Sequence, residues 1–233
     1  MYKSILNAVG VVAAVAAVMF AGCDGNSGVD PNDHDDPNNL SVKKETFTDS
    51  RDGTSYKWVE IGTQKWMAEN LNYNASGSKC YENSAGNCAK YGRLYYWSTA
   101  MNGASSSNLS PSGVQGVCPA GWHLPSGDEW TTLTYYVGSG AGTKLKSASG
   151  WNNNSQGVSG NGTDDFGWSA LPGGGGGSDG SFRRAGNYGY WWGAEEHGGT
   201  GSGIIRWMGY TYDEVEKSGG EETDLFSVRC VQD

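Results

Sequence analysis

Positive charge is scarce in this chain, and so are histidine, proline and any second long apolar run. Lys and Arg number 16 against 25 Asp and Glu, a formal net charge of −9 with only 18% of residues charged. A surface of that sign argues against nucleic acid or anionic lipid headgroups as the binding partner. The three histidines, His34, His123 and His197, carry none of the ligand spacing of a zinc site, and no two cysteines stand at metal-knuckle spacing. The run Gly173 to Gly177 lacks the flanking spacing and the following Lys of a phosphate-binding loop, so it is expected to be a flexible turn. No internal repeat covers the chain.

What is present begins with an address. Lys3, the apolar stretch Ile5 to Phe20 and the small pair Ala21-Gly22 make residues 1–22 a signal peptide, too short and wrongly flanked for a settled membrane span. Its ending, Phe20-Ala21-Gly22-Cys23, resembles a bacterial lipobox, which would leave lipid on Cys23 and make the membrane a partner through that anchor. A plain cleaved leader is the alternative. Residues 23–42 follow as an acidic tether: Asp24 to Leu40 holds five Asp, four Asn and two Pro with hardly an apolar side chain, too little to offset ordering entropy. His34 among those aspartates has no companion ligand spacing. Acidic residues after the lipidated cysteine resemble surface-export signals of some Gram-negative lineages, whereas Asp24 in that place means inner-membrane retention in others. The outer membrane or cell surface is the expected location, with the leaflet open.

Residues 43–233 fit one domain. Its 38 Gly, ten Trp and thirteen Tyr describe a loop-rich extracytoplasmic protein. With Cys23 set aside, Cys80, Cys88, Cys118 and Cys230 are an even set in a compartment that permits disulfides, and three pairings are possible. The preferred one closes the short Asn/Ser/Gly-rich loop as Cys80–Cys88 and leaves Cys118–Cys230 to tie the central strand to the last.

That central stretch, Val117 to Leu133, reads as a strand running into a helix. Pro125 ends Trp122-His123-Leu124, Ser126 and Glu129 have capping-box spacing, and Trp130, Leu133 and Val137 give the helix an apolar face. Before it, Glu45–Thr48, Ser55–Ile61 and Lys65–Met67 read as strands, with Tyr56 and Trp58 on one face of the second and Val59 and Ile61 on the other. Tyr91–Trp97 is expected to be extended, and Ser98 to cap a brief helix to Met101. The final third reads as sheet: Phe166–Leu171, Phe182, Tyr188–Ala194, Ile204–Tyr210 and Leu225–Val231.

Several blocks together carry a resemblance: I-G-T-Q-K-W-M-A-E-N-L-N-Y (61–73), Y-G-R-L-Y-Y-W (91–97), C-P-A-G-W-H-L-P-S-G-D-E-W (118–130), W-S-A-L-P-G-G (168–174), D-G-S-F (179–182), G-Y-W-W (189–192) and F-S-V-R-C-V (226–231). In this order they resemble the Fibrobacter succinogenes major paralogous domain, found on secreted or lipid-anchored proteins and without an established biochemical role. More distantly the pattern is similar to the C-type-lectin-like fold of formylglycine-generating enzymes. The resemblance implies an α+β domain: a twisted antiparallel sheet with two short helices, long loops on one side and disulfide staples. The chain departs from the family at Gly175–Gly177, where an aromatic or Arg is usual, and at Trp192-Gly193-Ala194-Glu195-Glu196, where Trp-Ser-Ala-Thr-Glu is usual. The redox cysteine pair of formylglycine-generating enzymes has no place here, because all four mature cysteines fit structural bridges.

For chemistry, His123 beside Trp122 is expected to be a packed residue, and His197 after Glu195-Glu196 is weak evidence for a metal. Catalysis is the third reading. A non-catalytic binding or adhesion surface for plant-wall polysaccharide comes first, a structural or protein-interaction module of the envelope second. The binding candidates are Trp151, Trp191, Trp192 and Trp207 as rings for sugar faces, and Asn153, Asp164, Asp165, Glu195 and Glu196 as partners for hydroxyls. At least one of Trp191 and Trp192 must face the core by strand alternation. Asn152–Asn154, Asp164 and Asp165 carry oxygens able to coordinate calcium, although turn formation is the better explanation of them. No Glu-Pro-Asn or Gln-Pro-Asp lectin motif is present.

Overall fold

Ser126 and Glu129 close the capping box that their spacing predicts. In the structure, a computed structural model that describes residues 42–199 and 201–233, Ser126 Oγ accepts the Glu129 N–H at 3.2 Å and the Glu129 carboxylate accepts the Ser126 N–H at 3.0 Å. Two donors left open at the helix start are thereby satisfied. The leader, Cys23 and the tether lie outside the described residues.

In chain order, β1 (Lys44–Thr48), β2 (Ser55–Ile61) and β3 (Gln64–Met67) form the expected antiparallel meander. Two helices follow, α1 (Ala85–Tyr91) and α2 (Trp97–Met101), then β4 (Trp122–His123), the capped helix α3 (Gly127–Val137) and α4 (Ala141–Leu145). The last third holds β5 (Gly175–Gly176), β6 (Phe182–Arg183), β7 (Tyr188–His197), β8 (Ser202–Gly209), β9 (Glu216–Gly220) and β10 (Val231–Gln232). Strands β1-β2-β3-β10-β4 make one sheet, β7-β8-β9 a second and β5-β6 a ribbon, so the described residues form an antiparallel α+β domain. Four short helices stand where two were expected. The two not expected are α4 and α1; α1 starts inside the Cys80–Cys88 loop and runs past Cys88, and the disulfide anchors an otherwise weak seven-residue helix.

Both faces of the large sheet are covered, because β2 alternates apolar side chains in both directions. Val59, Ile61, Trp66 and Val231 pack with Trp130, Leu133 and Val137 of α3, while Tyr56, Trp58, Met67 and Trp122 join a second cluster. Burial of each such side chain is worth about 1.5–3 kcal/mol. The second sheet feeds the same two clusters: Trp191 and Met208 face the first, Tyr190, Trp192 and Ile205 the second. Cys80–Cys88 and Cys118–Cys230 are both bonded, as preferred from the sequence.

Three sequence expectations fail and one strand went unseen. Ser98 does not cap α2, which starts at Trp97 with Tyr96 as its N-cap. The glycine run is a buried strand, not a flexible turn: a Cβ on Gly175 would meet the Phe226 ring at 2.7 Å, so only glycine lets the backbone pass beneath that ring. Phe166–Leu171 is not a strand, since Asp164, Gly167 and Ser169 all adopt left-handed backbone and coil the segment. β9 went unseen because Glu-Lys-Ser-Gly-Gly carries no strand propensity; it extends only because β8 offers it an edge.

His123 is a buried clasp. Its Nε2 lies 2.7 Å from Glu129 Oε1 and its Nδ1 2.7 Å from Asp233 Oδ1, so the imidazole joins β4 to α3 and to the residue after β10. Burial alone would depress its pKa, but the hydrogen bond and charge of Glu129, then those of Asp233, outweigh it and raise the pKa. A raised folded-state value means that its stabilisation is complete below the ordinary value of about 6.5 and is lost as pH rises through the folded one. Urea unfolding at pH 6 and pH 9 is therefore expected to show less stability at the higher pH, a difference that His123→Gln removes. An unchanged difference in the variant would refute the assignment.

Candidate functional site

Three of the four candidate tryptophans belong to the interior. Trp151 is 4% exposed, with Nε1 donating to Ala170 O at 3.0 Å and the Lys146 ammonium 5.3 Å from the ring. Trp191 and Trp192 are both 0% exposed and donate to Asn70 Oδ1 at 2.8 Å and Tyr95 O at 2.7 Å. Alternation sends these neighbours to opposite faces, but each face of β7 meets a core cluster there. No sugar can reach any of the three rings.

The polar candidates are dispersed. Asp164 spends both carboxylate oxygens on Ser169, accepting its N–H at 2.7 Å and its hydroxyl at 2.6 Å. Asp165 is exposed and its N–H is bonded to Lys144 O; Asn153 is exposed and bridges Ser159. Glu195 pairs with Lys217 at 3.1 Å, and Glu196 accepts the Gly201 N–H at 2.9 Å. The described residues contain no group of three His, Cys, Asp or Glu able to hold a metal ion.

Trp207 is different: it remains half-buried and stands at the centre of an aromatic ledge. The register sets it opposite Tyr190, with Tyr188 opposite Gly209, so Tyr188, Tyr190 and Trp207 share one face of the second sheet. Tyr188 lies 5.8 Å from both Tyr190 and Trp207, Tyr210 6.2 Å from Tyr188, and Tyr212 meets Trp207 edge-on at 4.9 Å. Tyr212 is 41% exposed. Gly209 makes the close approach possible, since a Cβ there would stand 2.7 Å from the Tyr212 ring and 3.1 Å from Tyr188. Behind the ledge, the buried Lys146 ammonium donates to Gly209 O at 3.1 Å and Tyr212 O at 3.0 Å, fixing the turn that carries Tyr212. Burial lowers the Lys146 pKa.

A polar rim surrounds the rings. Asn152 of the long loop donates to Asn187 Oδ1 at 2.9 Å, and Tyr210 N–H donates to Asn187 O, so the 150–162 loop does border this face. Glu216 is the cross-strand neighbour of Trp207. Arg184 lies 5.1 Å over Tyr188 and donates to the Tyr190 hydroxyl at 2.9 Å. That hydrogen bond and the tyrosine's charge raise the Arg184 pKa, and burial raises the pKa of Tyr190 against the pull of Arg184. Sequence reasoning found Trp207 but missed Tyr188, Tyr212 and Arg184. The available signal was two successive aromatic-rich strands, which pair ring against ring.

Two open grooves lie elsewhere. One, of about 680 Å³, runs along β1 and β2 to α1 between Lys44, Lys57 and Lys90 and the carboxylates Glu45, Glu69 and Asp164; the other, about 790 Å³, lies beside Arg51 and Tyr73. Their charges are mixed and partly engaged, with Asp164 held by Ser169 and Arg51 bonded to Asp49 at 2.7 Å. His123 lines neither groove, and both its ring nitrogens are committed. The ledge presents the partly exposed rings of Tyr188 and Trp207 and the exposed ring of Tyr212, with hydrogen-bonding groups at their margin.

A family model described as the Fibrobacter succinogenes major domain matches residues 59–232. The match begins within β2, and β1 precedes it although the two strands pair along five residue positions. No curated protein and no solved structure matches the chain.

Proposed function

We propose, from the premise that this chain belongs to the Fibrobacter succinogenes major domain family, that it is a non-catalytic binding module whose aromatic ledge takes plant-wall polysaccharide. The observation that carries the reading is the run of half-buried Tyr188 and Trp207 and exposed Tyr212 with polar groups along its margin. Sugar rings present apolar C–H faces that stack on such rings while their hydroxyls bond the rim. Lipid on Cys23 and the acidic tether hold the ledge away from the outer membrane at the cell surface in this account. The fold is read as C-type-lectin-like: β1 and β10 meet in one sheet, α3 packs upon it, and Cys118–Cys230 joins the segment before β4 to the one before β10.

The test is retention of residues 41–233 on insoluble cellulose, xylan and chitin, with calcium or chelator. Trp207→Ala, checked for folding, is expected to weaken retention about 10- to 30-fold, the cost of removing a central aromatic anchor. Loss of retention with Trp151→Ala but not with Trp207→Ala would refute the ledge. Burial of Trp151, Trp191 and Trp192 favours a second reading, an envelope protein-interaction module, because it leaves fewer rings for sugar. Absence of retention on every polysaccharide would select it.

A further inference from the structure

The ledge ends in two arginines of unlike fate. Arg183 reaches Asp224 at 3.6 Å and is partly neutralised. Arg184, exposed, has no carboxylate partner among the described residues; it is held by the Tyr190 hydroxyl at 2.9 Å and by the Tyr188 ring at 5.1 Å. One Nη1–H is thus spent on a neutral acceptor, and the other four of the guanidinium's five donors make no hydrogen bond among the described residues. Its backbone is also costly: Arg184 has φ +70°, in the left-handed region that suits Gly or Asn. Tyr188 and Tyr210 both donate main-chain bonds in the turn that follows, Tyr188 N–H to Arg184 O and Tyr210 N–H to Asn187 O, so the turn and the ledge are tied together.

Resting on the ledge reading, we propose that Arg184 is a specificity-determining residue that binds the carboxylate of a uronic acid, so that the ligand is an acidic, uronate-bearing wall polysaccharide. A planar fork pre-set by stacking on Tyr188 matches a carboxylate in two-point geometry, and little side-chain freedom remains to be lost on binding. Trp207 holds a sugar face while Arg184, reached through Tyr188 at steps of 5.8 and 5.1 Å, reads the charge on a residue further along the polymer. The net charge of −9 repels a polyanion at long range, so this local cation, not the overall field, must supply the attraction.

The experiment measures affinity of residues 41–233 for polygalacturonate and for the same polymer fully methyl-esterified, which keeps the rings and removes the charge. The wild type is expected to prefer the free acid about tenfold or more, with the preference falling as salt rises. Arg184→Asn relieves the left-handed strain and so stays folded, yet it is expected to bind both polymers equally. Trp207→Ala is expected to lose both. Equal binding of the two polymers by the wild type, or an unchanged preference in Arg184→Asn, overturns the uronate assignment and leaves the ledge standing. Absence of binding to either polymer by the wild type overturns the uronate assignment and leaves the ledge to its own test on cellulose, xylan and chitin, whereas binding that Trp207→Ala does not weaken overturns both.

Discussion

Arg229→Ala is expected to cost about 3–5 kcal/mol, enough to leave much of the domain unfolded under ordinary conditions. The guanidinium is fully enclosed, 3.7 Å from the Trp168 ring and 5.8 Å from Trp191, with no carboxylate partner among the described residues. Its charge is met instead by Asn70 Oδ1, at 3.1 Å from Nε and 2.9 Å from Nη2, and by the carbonyl oxygen of Trp168. Burial pushes the Arg229 pKa down to about 9, so it is still charged at pH 7. Removal opens a cavity among Trp66, Trp130, Trp168 and Trp191, whose rings otherwise meet at 4.9 to 6.4 Å. It also strips Asn70, which bonds Tyr91 O and the Trp191 indole as well, of its strongest partner. Arg229→Met, which keeps volume and loses only the polar bonds, is expected to cost about half as much. Urea unfolding followed by tryptophan fluorescence decides the matter; a loss below 1 kcal/mol in Arg229→Ala would show that the cluster does not depend on its cation.

Removing the Cys118–Cys230 bridge as the double Ala variant is expected to cost about 2–5 kcal/mol. The bond spans 112 residues and joins the approach to β4 to the residue before β10. Without it the two strands rest on two backbone pairings and the His123 clasp. The Cys80–Cys88 bridge closes only eight residues around α1, so its loss is expected to cost about 1–2 kcal/mol less. Thermal unfolding of the two double variants, oxidised and with intact folding by circular dichroism, orders them. Equal losses would mean that strain or residual unfolded structure, not loop length, governs both bonds.

The blocks that carry the family resemblance turn out to hold the fold together. Asn70, Trp130, Trp168, Trp191 and Arg229 form one buried network, and His123 with Glu129 forms the clasp. Such positions were legible as elements because strand alternation, capping-box spacing and cysteine spacing are local signals. The ledge was barely legible. Trp151 looked exposed because its loop is rich in Asn and Gly, yet the loop folds over and the indole is drawn inside by its large apolar area. Tyr188 and Tyr212 looked ordinary, and their approach depends on a missing side chain at Gly209 and on Lys146 from a distant helix end. How much of the Tyr188–Tyr190–Trp192 face of β7 is covered depends on where Phe226 lies, 4.9 Å from both Tyr190 and Trp192, and that is a contact between segments far apart in sequence.

On the proposed reading, ligand is held on the Trp207 ledge and not on any other exposed aromatic. Tyr135 on α3, 89% exposed, provides the control. Affinity electrophoresis in gels cast with soluble wall polysaccharide, run on the wild type, Trp207→Ala and Tyr135→Ala, reads the difference directly. The prediction is that Trp207→Ala migrates as it does in a plain gel while Tyr135→Ala is retarded like the wild type. Retardation of Trp207→Ala equal to that of the wild type would contradict the account.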